Sequence, residues 1–448
     1  MTGPSIVWFR DDLRLGDHPA LRAALDRGGP VVLLYVLDEV GDGIRPLGGA
    51  TRWWLHHSLA AHAAVIAARG GRLVLRRGAA EDVLPGLVAE TGADAVFWNR
   101  RYSRAREIDA RLKTLLRDRG VEVQSFAANL LAEPWEVANG AGEPYRVFTP
   151  FWRALRSREL RDPLPAPREL PGGPEAASDD LDAWGLLPTR PDWAAGLRET
   201  WEPGERGAHR RLEAFVRDGL ADYDRRDDLD GETSGLSPHL RFGELSPAQV
   251  WRLVHGDLTP EARRNAPSFT SELGWREFNW ATLYANPDLA TRNLRPAFDA
   301  FPWSWDRGPE LEAWQRGRTG IPLVDAGMRE LWHTGRMHNR VRMVVASFLV
   351  KNLLRHWRLG EEWFWDTLVD ADEASNPGNW QWVAGSGADA APYFRVFNPE
   401  LQAAKFDPTG AYVRRWLPEA ERVPPIVDLA ASRRDALDAY ATLRRPAG

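Results

Sequence analysis

A hydroxyl-rich segment at residues 233–238 could bind an anion. Its sequence is Thr-Ser-Gly-Leu-Ser-Pro, so three hydroxyls and a glycine stand directly before a Ser-Pro helix start. Serine at a helix cap and proline at the first helical position leave backbone N–H groups pointing outward, and such groups suit a pair of phosphates. An ordinary helix cap is the alternative interpretation of the same residues.

Asn339 and Arg342 lie in an otherwise apolar helical pattern and, being three residues apart, share one helix face. An arginine buried there would need a carboxylate partner, and Asp370 and Asp372 are the candidates. A pair such as Arg342 with Asp370 could flank a polar heterocycle. Charged side chains on a solvent-exposed helix face would explain the same spacing. The sequence leaves both interpretations, the ligand-flanking pair and the exposed charges, open.

The segment at residues 376–382, Asn-Pro-Gly-Asn-Trp-Gln-Trp, combines an amide with two indoles. Because proline disfavours helix in the residue before it, we expect Asn376 to leave a helix end and to lie in a loop. An amide fixed there could hydrogen-bond a ring nitrogen of a bound cofactor. A simple turn followed by two packing tryptophans is the competing interpretation.

The composition limits the chemistry and reveals an excess of indole. The chain of 448 residues has no cysteine, which excludes disulfides, thiolate nucleophiles and cysteine-ligated metal sites, and we predict no metal site. It has 22 tryptophans against 8 tyrosines and 16 phenylalanines, more indole than core packing normally requires. Since the net charge is −5, any contact with nucleic acid must come from a local basic patch.

We also expect a cytoplasmic protein. The amino terminus lacks the basic and apolar regions of a signal peptide. No apolar run approaches the roughly 20 residues that span a bilayer, so we expect no membrane partner.

The elements that must position these residues fall into two halves. Short apolar runs alternate with amphipathic helical patterns over the first half, and they predict strands at residues 6–10, 31–37, 73–75, 95–98 and 121–123. This alternation is typical of an α/β domain with a doubly wound parallel sheet. The second half has helical periodicity, as at residues 323–357, and predicts an all-α domain.

A proline-rich stretch at residues 162–203 predicts an extended connector between the halves. We therefore predict an α/β domain at residues 1–130, a connector at 131–206 and a helical domain at 207–448.

Six short motifs follow one another along nearly the whole chain. They are residues 6–15 (IVWFRDDLRL), 149–152 (TPFW), 275–278 (WREF), 320–326 (GIPLVDA), 337–340 (MHNR) and 379–382 (NWQW). In sequence, order and spacing they resemble the DNA photolyase/cryptochrome family, and most closely the bacterial cyclobutane pyrimidine dimer (CPD) photolyases. The resemblance implies an antenna domain, a helical FAD-binding domain, and light-driven repair by electron transfer from reduced FAD to a flipped-out dimer.

The resemblance assigns one set of residues to FAD, with Asn376 accepting a hydrogen bond from flavin N5. The set is Tyr223, Thr233, Ser234, Gly235, Leu236, Ser237, Phe269, Arg342, Asp370, Asp372 and Asn376.

A second set would meet the flipped lesion and its DNA. Trp275 and Trp382 would supply flat apolar walls, and Met337 a soft contact. A proton-bearing Glu272 would donate a hydrogen bond to the dimer as negative charge arrives. The resemblance further implies that Asn339, Arg340 and Gln402 position the lesion and the DNA backbone.

Electron transfer from the surface to the flavin is implied for a chain of tryptophans, because indole can lose an electron and persist briefly as a radical. Trp380 and Trp357 match two members of the family's chain. The spacing leaves two candidates, Trp303 and Trp305, for the third.

The sequence departs from the family pattern at several positions. Gly235 stands where many relatives have arginine, and Arg336 replaces a frequent tryptophan. The segment at residues 416–428 is short, so we expect part of a face near the DNA cleft or the interdomain contact to be missing. The resemblance also implies a second, antenna chromophore, methenyltetrahydrofolate or deazaflavin, and leaves its identity open.

Three functions remain in contention within this resemblance. A CPD photolyase acting as a monomer on UV-damaged DNA is our first expectation. A cryptochrome-type photoreceptor often has aspartate or cysteine at the position of Asn376, and a (6-4) photolyase is expected to have histidine at the position of Asn339. Both therefore rank below it.

Overall fold

The protein forms a five-stranded parallel sheet with flanking helices, followed by a helix-rich part. A computed structural model describes residues 2–231, 233–390 and 394–443. The strands are β1 (Ser5–Phe9), β2 (Val31–Leu37), β3 (Leu73–Arg77), β4 (Ala95–Asn99) and β5 (Glu122–Phe126). Their order in the sheet is β3-β2-β1-β4-β5.

The helices divide between the two parts. Those around the sheet are α1 (Pro19–Asp26), α2 (Gly49–Ala67), α3 (Ala80–Thr91) and α4 (Arg106–Asp118). Those that follow are α5 (Phe148–Arg156), α6 (Ala195–Thr200), α7 (Glu205–Ala214), α8 (Ser237–Arg241), α9 (Pro247–Val254), α10 (Pro260–Ala285), α11 (Pro309–Gln315), α12 (Pro322–Thr334), α13 (Asn339–Ser347), α14 (Trp357–Thr367), α15 (Ser375–Ala384), α16 (Pro399–Phe406), α17 (Ala411–Trp416) and α18 (Leu429–Leu443). Within the described ranges, no helix is long and apolar enough to cross a membrane.

Side chains on both faces of the sheet are buried, as β1 illustrates. Val7 and Phe9 pack into one apolar cluster, whereas Ile6 and Trp8 pack into another on the opposite face. Strands covered on both faces have continuous apolar runs, which is why the sequence predicts them. The predicted fold class, a doubly wound parallel sheet followed by a helical part, is confirmed, while the exact domain boundaries stay a prediction.

The helical pattern predicted at residues 323–357 is interrupted. Gly335 has φ +65 and ends α12, and α13 begins only at Asn339. A π-helical turn at Phe348–Asn352 then separates α13 from α14. The periodicity hides these breaks because the successive helices bury their apolar residues in one common core. Asn339 therefore lies in the first turn of a helix, where its side chain can face a cavity.

The motif at residues 6–15 joins the two parts of the molecule. Asp11 forms an ion pair with Arg241 of α8 at 2.6 Å. Arg14 donates from Nη1 to the carbonyl oxygen of Gly243 at 2.8 Å. A Cβ on Gly243 would lie 2.1 Å from the carbonyl oxygen of Asp11, so the close approach requires glycine. The motif thus holds the sheet edge against the wall of the helical part.

Candidate active site

A large cavity in the helix-rich part brings together most of the residues predicted for the site. Its volume is about 470 Å³. The predicted residues that line it are Tyr223, Ser234, Leu236, Ser237, Phe269, Glu272, Trp275, Asn339, Arg340, Arg342, Asp370, Asp372, Asn376, Trp380 and Trp382. The predicted residues that lie outside its lining are Thr233, Gly235, Trp303, Trp305, Met337, Trp357 and Gln402.

The loop before α8 forms one end of the cavity. Ser237 is the first residue of α8, and the residue before it, Leu236, makes no side-chain cap. The predicted serine cap is therefore wrong, because the loop turns at Gly235 (φ +64) and brings Ser237 inside the helix. The hydroxyls of Ser234 and Ser237 remain at the cavity wall.

Two arginines to which the motifs assign no cofactor role flank this loop. Arg336 donates from Nη2 to the hydroxyl oxygen of Thr233 at 2.6 Å. Arg211 donates to the carbonyl oxygens of Thr233 at 2.9 Å and Ser234 at 2.7 Å. Among the described residues, neither arginine has a carboxylate within ion-pair distance. Hydroxyls and unneutralised cations together fit the phosphates of a dinucleotide.

The departure at Gly235 has a structural counterpart in Arg211. A Cβ on Gly235 would lie 2.9 Å from the Nε of Arg211. The guanidinium of Arg211 thus occupies the space that a side chain at position 235 would need. A cation from α7 therefore lies beside the loop at this position.

Another part of the cavity wall has a charged pair. Arg342 and Asp370 form an ion pair at 3.0 Å, with their side chains 27% and 9% exposed, which confirms the pair predicted from sequence. The Nε of Arg342 also donates to the carbonyl oxygen of Met337 at 2.8 Å, which fixes the plane of the guanidinium. A fixed pair at a cavity wall can flank a polar ring.

Asn376 lies in the first turn of α15, so its predicted position in a loop is wrong. Proline at position 377 is tolerated because the first N–H groups of a helix have no intrahelical partner. Asp372 accepts hydrogen bonds from the N–H groups of Ala374 at 2.8 Å and Ser375 at 2.5 Å, which anchors the helix start. The Nδ2 of Asn376 donates to Glu361, at 3.1 Å to its carbonyl and 2.8 Å to its carboxylate. Its Oδ1 accepts no hydrogen bond from the described residues.

Glu272 and two tryptophans line another side of the cavity. Glu272 is 39% exposed and lies 3.8 Å from the Nε of Arg226. Burial raises the pKa of Glu272 above its usual value, Arg226 opposes this shift, and Asp227 adds to it. Trp275 stacks on Phe148 with ring centroids 3.8 Å apart. A carboxyl group with a raised pKa therefore lies beside a flat aromatic surface.

Trp382 and Arg340 are each fixed by contacts with neighbouring residues. The indole N–H of Trp382 donates to the carbonyl oxygen of Asp389 at 3.0 Å. Arg340 forms an ion pair with Asp227 at 2.5 Å, and its guanidinium lies 4.4 Å from the ring centre of Phe406.

Met337 and Gln402 do not reach the cavity wall. Met337 is 2% exposed and packs in the apolar core, so the expected soft contact with a lesion finds no support in its position. Gln402 lies on α16, and its buried Oε1 has no hydrogen-bond partner among the described residues. It shares a helix face with Phe406, four residues on, which contacts Arg340.

The predicted electron-transfer tryptophans lie along one path. Trp380 lines the cavity and packs on α14, where a Cβ on Gly360 would come 2.1 Å from its ring. Trp357, completely buried, is one turn before Gly360 on that helix. It donates from Nε1 to the side chain of Asn293 at 2.9 Å.

His356 connects Trp357 to both candidates for the third tryptophan. Its ring centroid is 5.6 Å from Trp357, 5.4 Å from Trp303 and 3.8 Å from Trp305. Trp305 is 52% exposed, whereas Trp303 is 8% exposed. The aromatic contacts of Trp357 thus reach solvent at Trp305. Trp314, which is completely buried, has its ring centroid 6.1 Å from that of Trp380.

A smaller cavity, of about 30 Å³, opens at the carboxyl ends of β1 and β4. These neighbouring strands are where the strand order reverses, the usual ligand crevice of a doubly wound sheet. Arg241, Arg276 and Asp372 line both cavities and form the wall between them.

Comparison with known proteins extends over the whole chain. A family model described as "FAD binding domain of DNA photolyase" matches residues 269–429, and one described as "DNA photolyase" matches residues 5–168. Deoxyribodipyrimidine photo-lyase of Agrobacterium fabrum is 48% identical, with 99% of each chain covered. Cryptochrome-1 of Arabidopsis thaliana is 38% identical over 94% of this chain and 64% of that protein. The crystal structure of a class III photolyase from Agrobacterium tumefaciens superimposes with a TM-score of 0.94 at 47% identity, covering 99% of this chain and 98% of that one.

Proposed function

This chain belongs to the DNA photolyase/cryptochrome family, and from that membership we propose that it is a deoxyribodipyrimidine photo-lyase that repairs CPDs in DNA under blue or near-UV light. One observation carries the proposal. A single cavity is lined on one side by Arg342, Asp370 and Asn376 and on another by Glu272 and Trp275. A cofactor and a lesion can therefore meet in it.

FAD, when bound and reduced, would supply the light-driven electron. We assign its phosphates to the loop at residues 233–237, where the hydroxyls lie beside Arg211 and Arg336. We assign its ring to Arg342, Asp370 and Asn376. The bound ring would meet a carbonyl oxygen from Asn376, because the amide N–H groups of that residue already donate to Glu361.

We propose that the dimer enters the cavity after it has left the duplex. Trp275 and Trp382 would pack on its rings, since stacking of a base on an aromatic side chain contributes about 1–3 kcal/mol. Glu272, with its pKa raised by burial, would donate a hydrogen bond to the dimer carbonyl that gains charge. Asn339, Arg340 and Gln402 would hold the lesion and its backbone at the rim.

Electrons to restore the reduced cofactor would travel from Trp305 or Trp303 through Trp357 to Trp380. We favour Trp305 as the surface end because it is the more exposed of the two candidates.

The (6-4) photolyase and the photoreceptor remain the competing functions within the family. Asn339 rather than histidine lines the cavity, which favours CPDs over (6-4) products. Glu272 and Trp275 both line the cavity, which favours a repair enzyme over a photoreceptor.

The crevice at β1 and β4 is our candidate site for the antenna chromophore, methenyltetrahydrofolate or deazaflavin. We also propose that the protein acts as a monomer, because one chain supplies every residue assigned above. Its substrate would be UV-damaged DNA, which a bacterium such as those of the photolyase relatives keeps in its cytoplasm.

The decisive experiment illuminates the chemically reduced protein with DNA containing thymine dimers and follows dimer loss. We expect loss under blue light and none in the dark. Loss of (6-4) products in preference to CPDs would reverse the substrate assignment, and no loss of either would favour the photoreceptor. Purified protein that contains no flavin would remove all three functions.

A further inference from the structure

A chain of contacts runs from the α/β part to the amide that faces the cavity. Arg45, in the loop before α2, forms two hydrogen bonds with the carboxylate of Glu361 on α14, at 2.6 and 3.0 Å. The side chain of Glu361 is 2% exposed, and that of Arg45 is 28% exposed. The same carboxylate accepts the Nδ2 of Asn376 at 2.8 Å. Arg45 is thus two contacts away from the cavity.

The loop that carries Arg45 is held firmly on α14. The guanidinium of Arg45 lies 3.9 Å from the ring centre of Trp365, whose indole N–H donates to the carbonyl oxygen of Pro46 at 2.8 Å. The N–H of Gly49 donates to the side chain of Asp366 at 2.8 Å. A Cβ on Gly48 would lie 2.2 Å from the carbonyl oxygen of Trp365. Arg45 therefore has a fixed geometry toward Glu361.

Two acceptors of Glu361 set which way the amide of Asn376 points: the backbone carbonyl at 3.1 Å, and the carboxylate at 2.8 Å, which accepts only while it is ionised or turns its unprotonated oxygen to the amide. An ionised carboxylate only accepts hydrogen bonds, so the amide must turn its Nδ2 toward Glu361 and leave its Oδ1 for the cavity. A protonated carboxyl could also donate to Oδ1, and the amide could then rotate. Burial raises the pKa of Glu361, and the hydrogen bonds and charge of Arg45 oppose that shift.

We propose that Arg45 is a positioning residue, which keeps Glu361 an acceptor and thereby fixes the carbonyl oxygen of Asn376 toward the cofactor. The inference rests on the proposed binding of FAD beside Asn376. Fully reduced flavin has an N–H donor at N5, whereas oxidised flavin has an acceptor there. A fixed carbonyl oxygen therefore favours reduced over oxidised cofactor. The α/β part would in this way set the redox preference of a site in the helical part.

The test measures the midpoint potential of FAD in the purified holoprotein. We expect Arg45→Met to release the amide and to lower the affinity ratio for reduced over oxidised FAD by about 5- to 10-fold, the size of one hydrogen bond. Tenfold corresponds to about 30 mV for a two-electron couple. Glu361→Gln should shift the potential in the same direction, because an amide at that position can donate to Oδ1. Arg45→Lys should retain part of the wild-type potential, since it keeps the charge and loses the two-pronged contact.

Arg104→Met is the matched control. Arg104 forms an ion pair with Asp288 that also joins the two parts of the molecule, but both side chains are exposed and neither lines the cavity. We expect a wild-type potential for Arg104→Met. As a second measurement, the ¹⁵N resonance of N5 in labelled oxidised FAD should move upfield in Arg45→Met, because Nδ2 can then donate to it.

The outcomes separate this inference from the proposed function. Wild-type protein without bound flavin, or without dimer repair, would overturn the function. Wild-type protein that repairs dimers, with a potential and an N5 resonance unchanged in both Arg45→Met and Glu361→Gln, would overturn the positioning role. If Arg45→Met fails to hold flavin, Glu361→Gln and Arg45→Lys decide the question by the same two measurements.

Discussion

The two cavities share one wall and have paired arginines in their linings, but the loop before α8, at the helical cavity, also contacts two arginines without a carboxylate partner among the described residues. In the crevice at the sheet edge, Arg10 pairs with Asp109 at 3.1 Å and Arg241 pairs with Asp11 at 2.6 Å. The lining arginines Arg340 and Arg342 of the helical cavity are paired as well, with Asp227 and Asp370. Arg211 and Arg336, which contact the loop before α8, have no carboxylate within ion-pair distance among the described residues. An arginine without a carboxylate partner can pair with an anionic ligand, which is why we assign the phosphates to this loop.

The largest effect should come from changing Trp380, the tryptophan of the electron-transfer chain that lines the helical cavity. Trp380→Phe should nearly abolish photoreduction of oxidised FAD, because phenylalanine is much harder to oxidise than indole, yet it should spare repair once FAD is chemically reduced. Trp280→Phe, which changes a tryptophan that lines the crevice alone, is the control and should leave photoreduction unchanged. Flash photolysis and a dimer-loss assay measure the two activities. Equal loss of both in Trp380→Phe would refute the hopping role.

The crevice ion pairs should matter for stability rather than for flavin. Asp109→Ala leaves Arg10, which is 9% exposed, without its carboxylate, and breaking a buried pair in this way costs about 3 kcal/mol or more. Urea unfolding should show this loss, while the affinity of the folded protein for FAD should stay at the wild-type value. Asp26→Ala, which breaks an exposed pair with Arg22, should cost about 1 kcal/mol or less. A weakened FAD affinity in Asp109→Ala would contradict the claim that the crevice ion pairs act on stability and not on flavin binding.

Sequence predicts the two regions unequally well. The crevice follows from fold class, since alternating apolar runs predict the doubly wound sheet and such a sheet opens where its strand order reverses. The helical cavity depends on motifs, because the helices that form it are separated by breaks such as Gly335 that the common periodicity conceals. A local rule also fails where a second local contact overrides it. Asn376 is helical despite Pro377 because Asp372 anchors the helix start.

Sequence could not predict several of the contacts made by residues that lie outside the six motifs. Arg45 and Glu361 are 316 residues apart and belong to different halves of the chain. Arg336 was visible only as a departure from a family pattern, and its contact with Thr233 required the fold. The pair of Arg342 and Asp370 was predictable in part, because a buried arginine needs a carboxylate partner, although the sequence offered Asp372 equally.

Glu272 tests the side of the cavity assigned to the lesion. Glu272→Ala should lower the repair yield more than the affinity for FAD, because a hydrogen bond to a charged group contributes about 1.5–3 kcal/mol. The neutral acid is the donor, and its raised pKa keeps it neutral to a pH above the usual 4.5. The wild-type yield should therefore fall as pH rises through that pKa. Glu272→Gln, which donates at every pH, should give a flat profile. A wild-type yield that rises with pH would contradict the donor role.

Changing Arg336 should give the smallest effect, and it allows a direct comparison of the affinity for FAD with the affinity for riboflavin. Its buried guanidinium holds Thr233 at the loop assigned to phosphates, so Arg336→Met should weaken FAD binding by about tenfold, the size of one charge-assisted hydrogen bond. Riboflavin has no phosphate, and its affinity should stay unchanged. Arg210→Met is a matched control, because Arg210 lies on the same helix as Arg211 but pairs with Glu202. Fluorescence titration of the apoprotein with both ligands measures the effect. Equal weakening for FAD and riboflavin would mean that Arg336 supports the fold of the cavity, and the distinction between unneutralised and self-paired arginines would then lose its functional meaning.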